Sequence, residues 1–233
     1  MTPPRHTTDL AVLDVNETLF ALDPVAARMA QVGLDGRLEL WFARVLRDGI
    51  AAATAGRFVT FRALATHHLD VLLAAEEGTG TPLEQESDHR VEHVLAGFEE
   101  VQLHPDVGPG LQRLHDAGVS IVALTNGAAS VASGALDRAG VLDLVAAVHD
   151  VGAAGRWKPA PEAYRWVLDR HGVAPDRSAM IAAHPWDVQG AQQAGLVGAW
   201  LDRDGASYPP GFPPPEVQGR DLAEVAVALT TPS

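Results

Sequence analysis

The residues of this chain that could do chemistry sit at the ends of apolar runs. In "LAVLDVNETLF" four apolar residues lead into Asp14 and the run then breaks into Asn16, Glu17 and Thr18. A carboxylate at the end of a buried strand can act as a covalent nucleophile or a metal ligand; a helix cap or a buried ion-pair partner are the plainer alternatives. "VSIVALTNG" ends in Thr125 and Asn126. Ahead of a helix, that hydroxyl and the backbone amides suit an anionic group, although capping alone accounts for a Thr-Asn-Gly run. "AAHPWD" brings His184, Trp186 and Asp187 to the end of a third run. With a pKa near neutrality His184 is a candidate base, or a loop residue ahead of Pro185.

Composition narrows the chemistry. The chain has no cysteine, which excludes thiol catalysis, disulfides and cysteine metal sites. Acidic residues outnumber basic ones by 30 to 17, and the net charge of -13 repels a phosphate backbone, so nucleic acid is not an expected partner. "MTPPRHTTDL" has neither a long apolar run nor a cleavage pattern, and no stretch reaches the roughly 18 apolar residues of a membrane span. The expectation is a cytoplasmic protein with no membrane partner. A chain of 233 residues that is 47% hydrophobic can bury one core plus a smaller appended unit.

The elements that must position these residues follow a strand and helix rhythm. After "LAVLD" come "VSIVALTNG", "LVAAVHD", "SAMIAA" and "GAWLD", separated in the later chain by helix-length segments such as "PEAYRWVLDRHG". Such non-alternating runs predict a parallel sheet covered on both faces. Asp14, Thr125 and the stretch from Ala182 to Asp187 then fall at carboxyl ends of strands, where open sheets of this class bind ligands. Between Phe20 and about Glu100 the pattern is helical, as in "RLELWFARVLRDGIAAATA", with "EEGTGTPLEQES" read as a loop. "SYPPGFPPPE" reads as an extended surface segment and "DLAEVAVAL" as a short helix.

Four motifs in order, "LDVNETL", "ALTNG", "WKPAPEAY" and "AAHPWD" running into "VQGAQQAGL", give the chain a resemblance to the haloacid dehalogenase superfamily, and within it to the type II 2-haloacid dehalogenase branch. The resemblance implies a three-layer Rossmann-like α/β core of residues 1–19 and 101–233, with an all-helical cap of residues 20–100 inserted after the first strand. It implies that Asp14 attacks the substrate to form an ester that water resolves. Lys158 balances Asp14 and Asp187, Asp187 orients water or Lys158, Tyr164 lines the pocket or packs its helix, and Thr18 hydrogen-bonds around the nucleophile. Phosphatases of the superfamily have a second aspartate two residues after the nucleophile, which protonates the departing alkoxide. Asn16 cannot do so, and a halide does not need it. Those enzymes also hold magnesium with a carboxylate four residues before the final aspartate, where this chain has Ala183.

Two departures qualify the match. The branch has an arginine after a Leu-Trp pair, credited with holding the halide, and here Phe42 stands there. Arg44 is a poor substitute, since two residues along a helix it points about 200° away; Arg47 and Arg57 are unaligned. In the fourth motif Ala182 and His184 replace a serine and an asparagine. His67 and His68 lack a partner at metal spacing and read as surface or packing residues. The expectation is a hydrolase without metal or organic cofactor, acting on a small carboxylic acid substrate and compatible with a homodimer; a magnesium-dependent phosphatase and attack on another activated or strained-ring carbon are the alternatives.

Overall fold

The computed structural model describes residues 8–78 and 84–231. Strand β1 (Leu10–Leu13) is followed by helices α1 (Asp23–Gln31), α2 (Leu38–Thr54), α3 (Phe61–Glu77) and α4 (Glu84–Leu95), and by a 3-10 turn over Ala96–Glu100. The rhythm then alternates through α5 (Val107–Asp116), β2 (Ser120–Thr125), α6 (Ala129–Arg138), β3 (Ala147–Asp150), α7 (Pro161–His171), β4 (Ser178–Ala182), α8 (Pro185–Gln193) and β5 (Val197–Leu201). A short β6 (Val217–Gly219) and α9 (Leu222–Thr230) complete it.

The six strands are all parallel, in the order β3-β2-β1-β4-β5-β6, so the fold is Rossmann-like. Strand β1 lies between β2 and β4, with Leu13 paired to Ala123 and Ile181. That register sets Asp14, Thr125 and the Ala183–His184 turn side by side at one edge. Right-handed crossovers send connections leftward over one face and rightward over the other. In keeping with that rule α5 packs on α9, and α7 on α8. Covered on both sides, β1, β2 and β4 need no polar alternation, and their residues after Ser120 are all buried. Gly118 and Gly172, both at positive φ, close α5 and α7 where a side chain would be strained.

The helical stretch has its own apolar centre. The Trp41 indole N–H donates to the Ala65 carbonyl at 3.0 Å, and Trp41, Phe61 and Phe98 meet ring to ring. His68 is buried against Asp48, in a packing role. Two expectations change. Glu84–Ser87 of the expected "EEGTGTPLEQES" loop belong to the first turn of α4, while residues 79–83 lie outside the described residues, as does most of the N-terminal stretch. Strand β6 is additional: three residues after a proline-rich segment carry too little pattern to read in advance. Among the described residues no helix is long and apolar enough to cross a membrane.

Candidate active site

Asp14 caps β1, its N–H donating to the Ile181 carbonyl at 3.0 Å. Its two carboxylate oxygens are held differently. Oδ1 accepts from Lys158 Nζ at 2.7 Å, while Oδ2 accepts from the Thr18 hydroxyl at 2.7 Å and lies 2.9 Å from His184 Nδ1. Lys158 Nζ also donates to Asp187 Oδ2 at 2.7 Å, so a fully buried ammonium stands between two buried carboxylates. Lys158 is itself placed by Asn126, whose side chain accepts from the Lys158 N–H at 2.9 Å and donates to its carbonyl at 3.2 Å. Those bonds commit Asn126 to positioning the lysine. Thr125 Oγ1 likewise accepts from the Gly127 N–H at 2.9 Å, the capping role weighed for it above.

Tyr164, which the sequence offers as a pocket lining or as helix packing, is turned toward Asp187. It is fully buried, and its hydroxyl donates to Asp187 Oδ1 at 2.5 Å and approaches the Asp187 carbonyl at 3.1 Å. Removing it leaves a buried carboxylate oxygen without its donor, a loss of ~1–3 kcal/mol. Tyr164→Phe is therefore expected to lower the urea midpoint and to slow turnover about 10-fold with little change in KM, which steady-state kinetics would read.

Charge is distributed unevenly among these groups. Burial raises the Asp14 pKa, but Lys158 and His184 outweigh it and hold the carboxyl well below the usual range. Asp187 goes the other way, pushed up by burial and by the charge of Asp14 against the pull of Lys158. Burial disfavours the charged Lys158, yet the two aspartates keep it protonated.

His184 has a partner on each side. Its Nε2 lies 2.9 Å from Glu17 Oε2 while Nδ1 faces Asp14. Burial works against its charge, but hydrogen bonds to Asp14 and Glu17 prevail and push its pKa up to about 10. His184, which the sequence offers as a base or as a loop residue, is thus held here as an imidazolium. Because the folded pKa exceeds the unfolded 6.5, this contribution is complete below pH 6.5 and is lost as pH rises through about 10. At ~1.4 kcal/mol per unit it is on the order of 5 kcal/mol. Urea unfolding between pH 6.5 and 10 should show the loss, and His184→Gln should flatten it.

Glu17 carried no chemistry in the sequence reading. It is a non-glycine residue at φ 59, in the left-handed region, which costs roughly 1 kcal/mol. Phe42 is buried, with its ring 6.4 Å from that of His184, and Trp186 lies 5.2 Å from the same ring. Where an arginine was looked for, the cation beside Phe42 is therefore His184. Arg47 is exposed and paired with Asp48.

Among the described residues, two openings lie at this edge of the sheet. A cavity of about 300 Å³ is lined by Asn16, Thr125, Phe20, Phe58, Phe61 and Phe98. A more open cleft of about 560 Å³ runs past Glu17, His184, Trp200 and Arg203. Among the described residues no three His, Asp or Glu side chains converge as a cation site would need.

A family model described as haloacid dehalogenase-like hydrolase matches residues 8–195. The (S)-2-haloacid dehalogenase 4A of Burkholderia cepacia is 28% identical over 139 residues, covering 58% of this chain and 58% of that protein, so the match spans little more than half the length of that relative. The phosphoserine phosphatase of Thermus thermophilus is 30% identical over 217 residues, 91% of this chain and 82% of the relative. Among solved structures, the L-2-haloacid dehalogenase from Xanthobacter autotrophicus superposes with a TM-score of 0.78 at 21% identity, covering 95% of this chain and 98% of that one.

Proposed function

The chain belongs to the haloacid dehalogenase-like hydrolases, and on that premise we propose that Asp14 displaces a halide from C2 of a small 2-halogenated carboxylic acid, with no metal or organic cofactor. Oδ1 of Asp14 attacks C2, the carbon–halogen electron pair leaves with the halide, and water then hydrolyses the aspartyl ester. Lys158 keeps Asp14 ionised, Asp187 orients the water, and Thr18 steadies the nucleophile. Asn16, Thr125 and the phenylalanine-lined cavity of about 300 Å³ receive the acid, while Phe42 and Trp186 wall the His184 side. The helical stretch 20–100 acts as a cap over the rest of the chain.

The observation that carries this reading is what surrounds the two aspartates. Lys158 takes an oxygen of each, and Tyr164 takes the other oxygen of Asp187; by the motif resemblance, Asn16 replaces the aspartate that serves phosphatases as the acid. That donor set does not suit a divalent cation, and a halide departs without a proton.

The test is incubation with (S)-2-chloropropionate. Halide release should be insensitive to EDTA, and a single turnover in H₂¹⁸O should place the label in the Asp14 side chain and leave the 2-hydroxy acid unlabelled. The similarity to a phosphoserine phosphatase motivates the competing reading. EDTA-sensitive release of phosphate from an aryl phosphate, with no halide released from any acid, would establish it instead.

A further inference from the structure

The two oxygens of Asp14 are prepared for different fates. Oδ1 has one hydrogen-bond donor, Lys158, whereas Oδ2 has Thr18 and His184 at 2.7 and 2.9 Å. Neither donor can readily turn away. The Thr18 oxygen accepts from the Ala183 N–H at 2.9 Å, which directs its single hydrogen to Oδ2. His184 lies between two carboxylates, which only accept, so both ring nitrogens must donate. Glu17 holds the far nitrogen, and does so from a left-handed backbone position that a glycine would fill without strain. A strained residue whose side chain fixes a charged ring beside the nucleophile implies a use for that ring.

The geometry points to Oδ2 of Asp14 as a preformed oxyanion position, with the Thr18 hydroxyl and the His184 imidazolium as its donors and Glu17 as the residue that keeps His184 aimed. This inference rests on the displacement reading and concerns its second half. Once Oδ1 has bonded to C2, Oδ2 becomes the ester carbonyl oxygen. Water adds to Cγ, the carbonyl electron pair moves onto Oδ2, and the water proton passes to Asp187. Reforming the carbonyl breaks the Cγ–Oδ1 bond. The expelled alkoxide takes the proton from Asp187 to give the 2-hydroxy acid, and Asp14, now with one water oxygen, ionises to solvent. Donors 2.7–3.1 Å from the developing charge, already in place, are what this step requires. When the ester forms, Asp14 no longer supplies a negative charge to His184. Glu17 then remains to keep the ring protonated, so its contribution falls in the step where the donor is needed.

The charged partners of His184 are Asp14 and Glu17, with Lys158 on the far oxygen of Asp14. Asp23, His104, Asp202, Arg203 and Asp204 line the cleft that His184 borders, while its ring faces Phe42 and Trp186.

Rapid-quench kinetics with (S)-2-chloropropionate on the wild type, His184→Gln and Glu17→Gln test the assignment. In both variants one chloride per protein should appear at nearly the wild-type rate. Steady-state release should then slow about 100-fold for His184→Gln, the loss of one such donor, and less for Glu17→Gln. The ester should accumulate as added mass on the peptide containing Asp14. The steady-state rate of Glu17→Gln should fall as pH rises from 6.5 to 9, because the donor loses its proton. A rate that rises with pH would make His184 a general base and overturn the assignment, as would an unchanged ratio of burst to steady state. No chloride and no ester in the wild type would remove the displacement reading and this inference with it. An ester in the wild type with that ratio unaltered would remove this inference alone.

Discussion

Asp14→Asn is expected to fold and to release no measurable halide, a loss of at least ~10⁴-fold in kcat, since the proposed nucleophile is removed. The amide is nearly isosteric and its oxygen can still accept from Thr18, so the site keeps its shape while losing the charge that attacks. A second change should accompany the first. Asp14 is one of the two carboxylates that raise the His184 pKa, so the alkaline loss of stability should begin at lower pH in the variant. Chloride assays and urea titrations on the same preparation check both results. Retained turnover would move the covalent chemistry to another residue.

Lys158→Met should produce the other large effect. Breaking a buried ion pair by removing one partner costs ~3–5 kcal/mol, because the remaining charge has nothing to balance it. His184 and Thr18 still cover Oδ2 of Asp14, so the exposed liability is Asp187, whose pKa is already raised by burial. Without the ammonium it should hold a proton more tightly in the folded than in the unfolded chain, so stability should recover as the pH is lowered. Thermal melts at pH 7.5 and pH 5 should therefore show a strongly depressed midpoint that partly recovers in acid. In the parent, the Asp14 pKa lies below its ordinary value, and that contribution is present at neutral pH and lost on acidification. Turnover should fall by about 10³-fold or more, as Oδ1 of Asp14 loses the ammonium that aims it and a protonated Asp187 can no longer take the proton of the attacking water.

Much of this site was legible because its residues fall at ends of buried runs. Asp14, Thr125 and Asp187 follow apolar stretches, and parallel pairing in register brings such ends together without further information. Lys158 was found through its motif and not through its surroundings, since nothing local to "GRWKP" says that an ammonium will be fully buried. The Tyr164–Asp187 bond escaped because its partners sit on α7 and α8, and only their packing brings them together. Glu17 escaped for a different reason. A glutamate in a polar turn reads as a solvated side chain, and its signal is a positive φ, which no composition or spacing reports. His184 was singled out for its neutral-range pKa, yet its two carboxylate neighbours decide its charge, and one of them was the residue overlooked.

The residue before Lys158 ties the lysine to the helical stretch. The ring of Trp157 lies against Gly49 of α2 so closely that a methyl there would sit 2.4 Å from it, and its indole N–H donates to the Val59 carbonyl at 2.7 Å. The ring also stacks on Phe61 of α3. If the helices swing clear of the sheet to admit a substrate, they must either let go of that tryptophan or drag it along, and the ammonium is its immediate neighbour in the chain. Under that linkage the ammonium beside Asp14 is expected to shift whenever the helices do, so that the charge balance of the site follows their position.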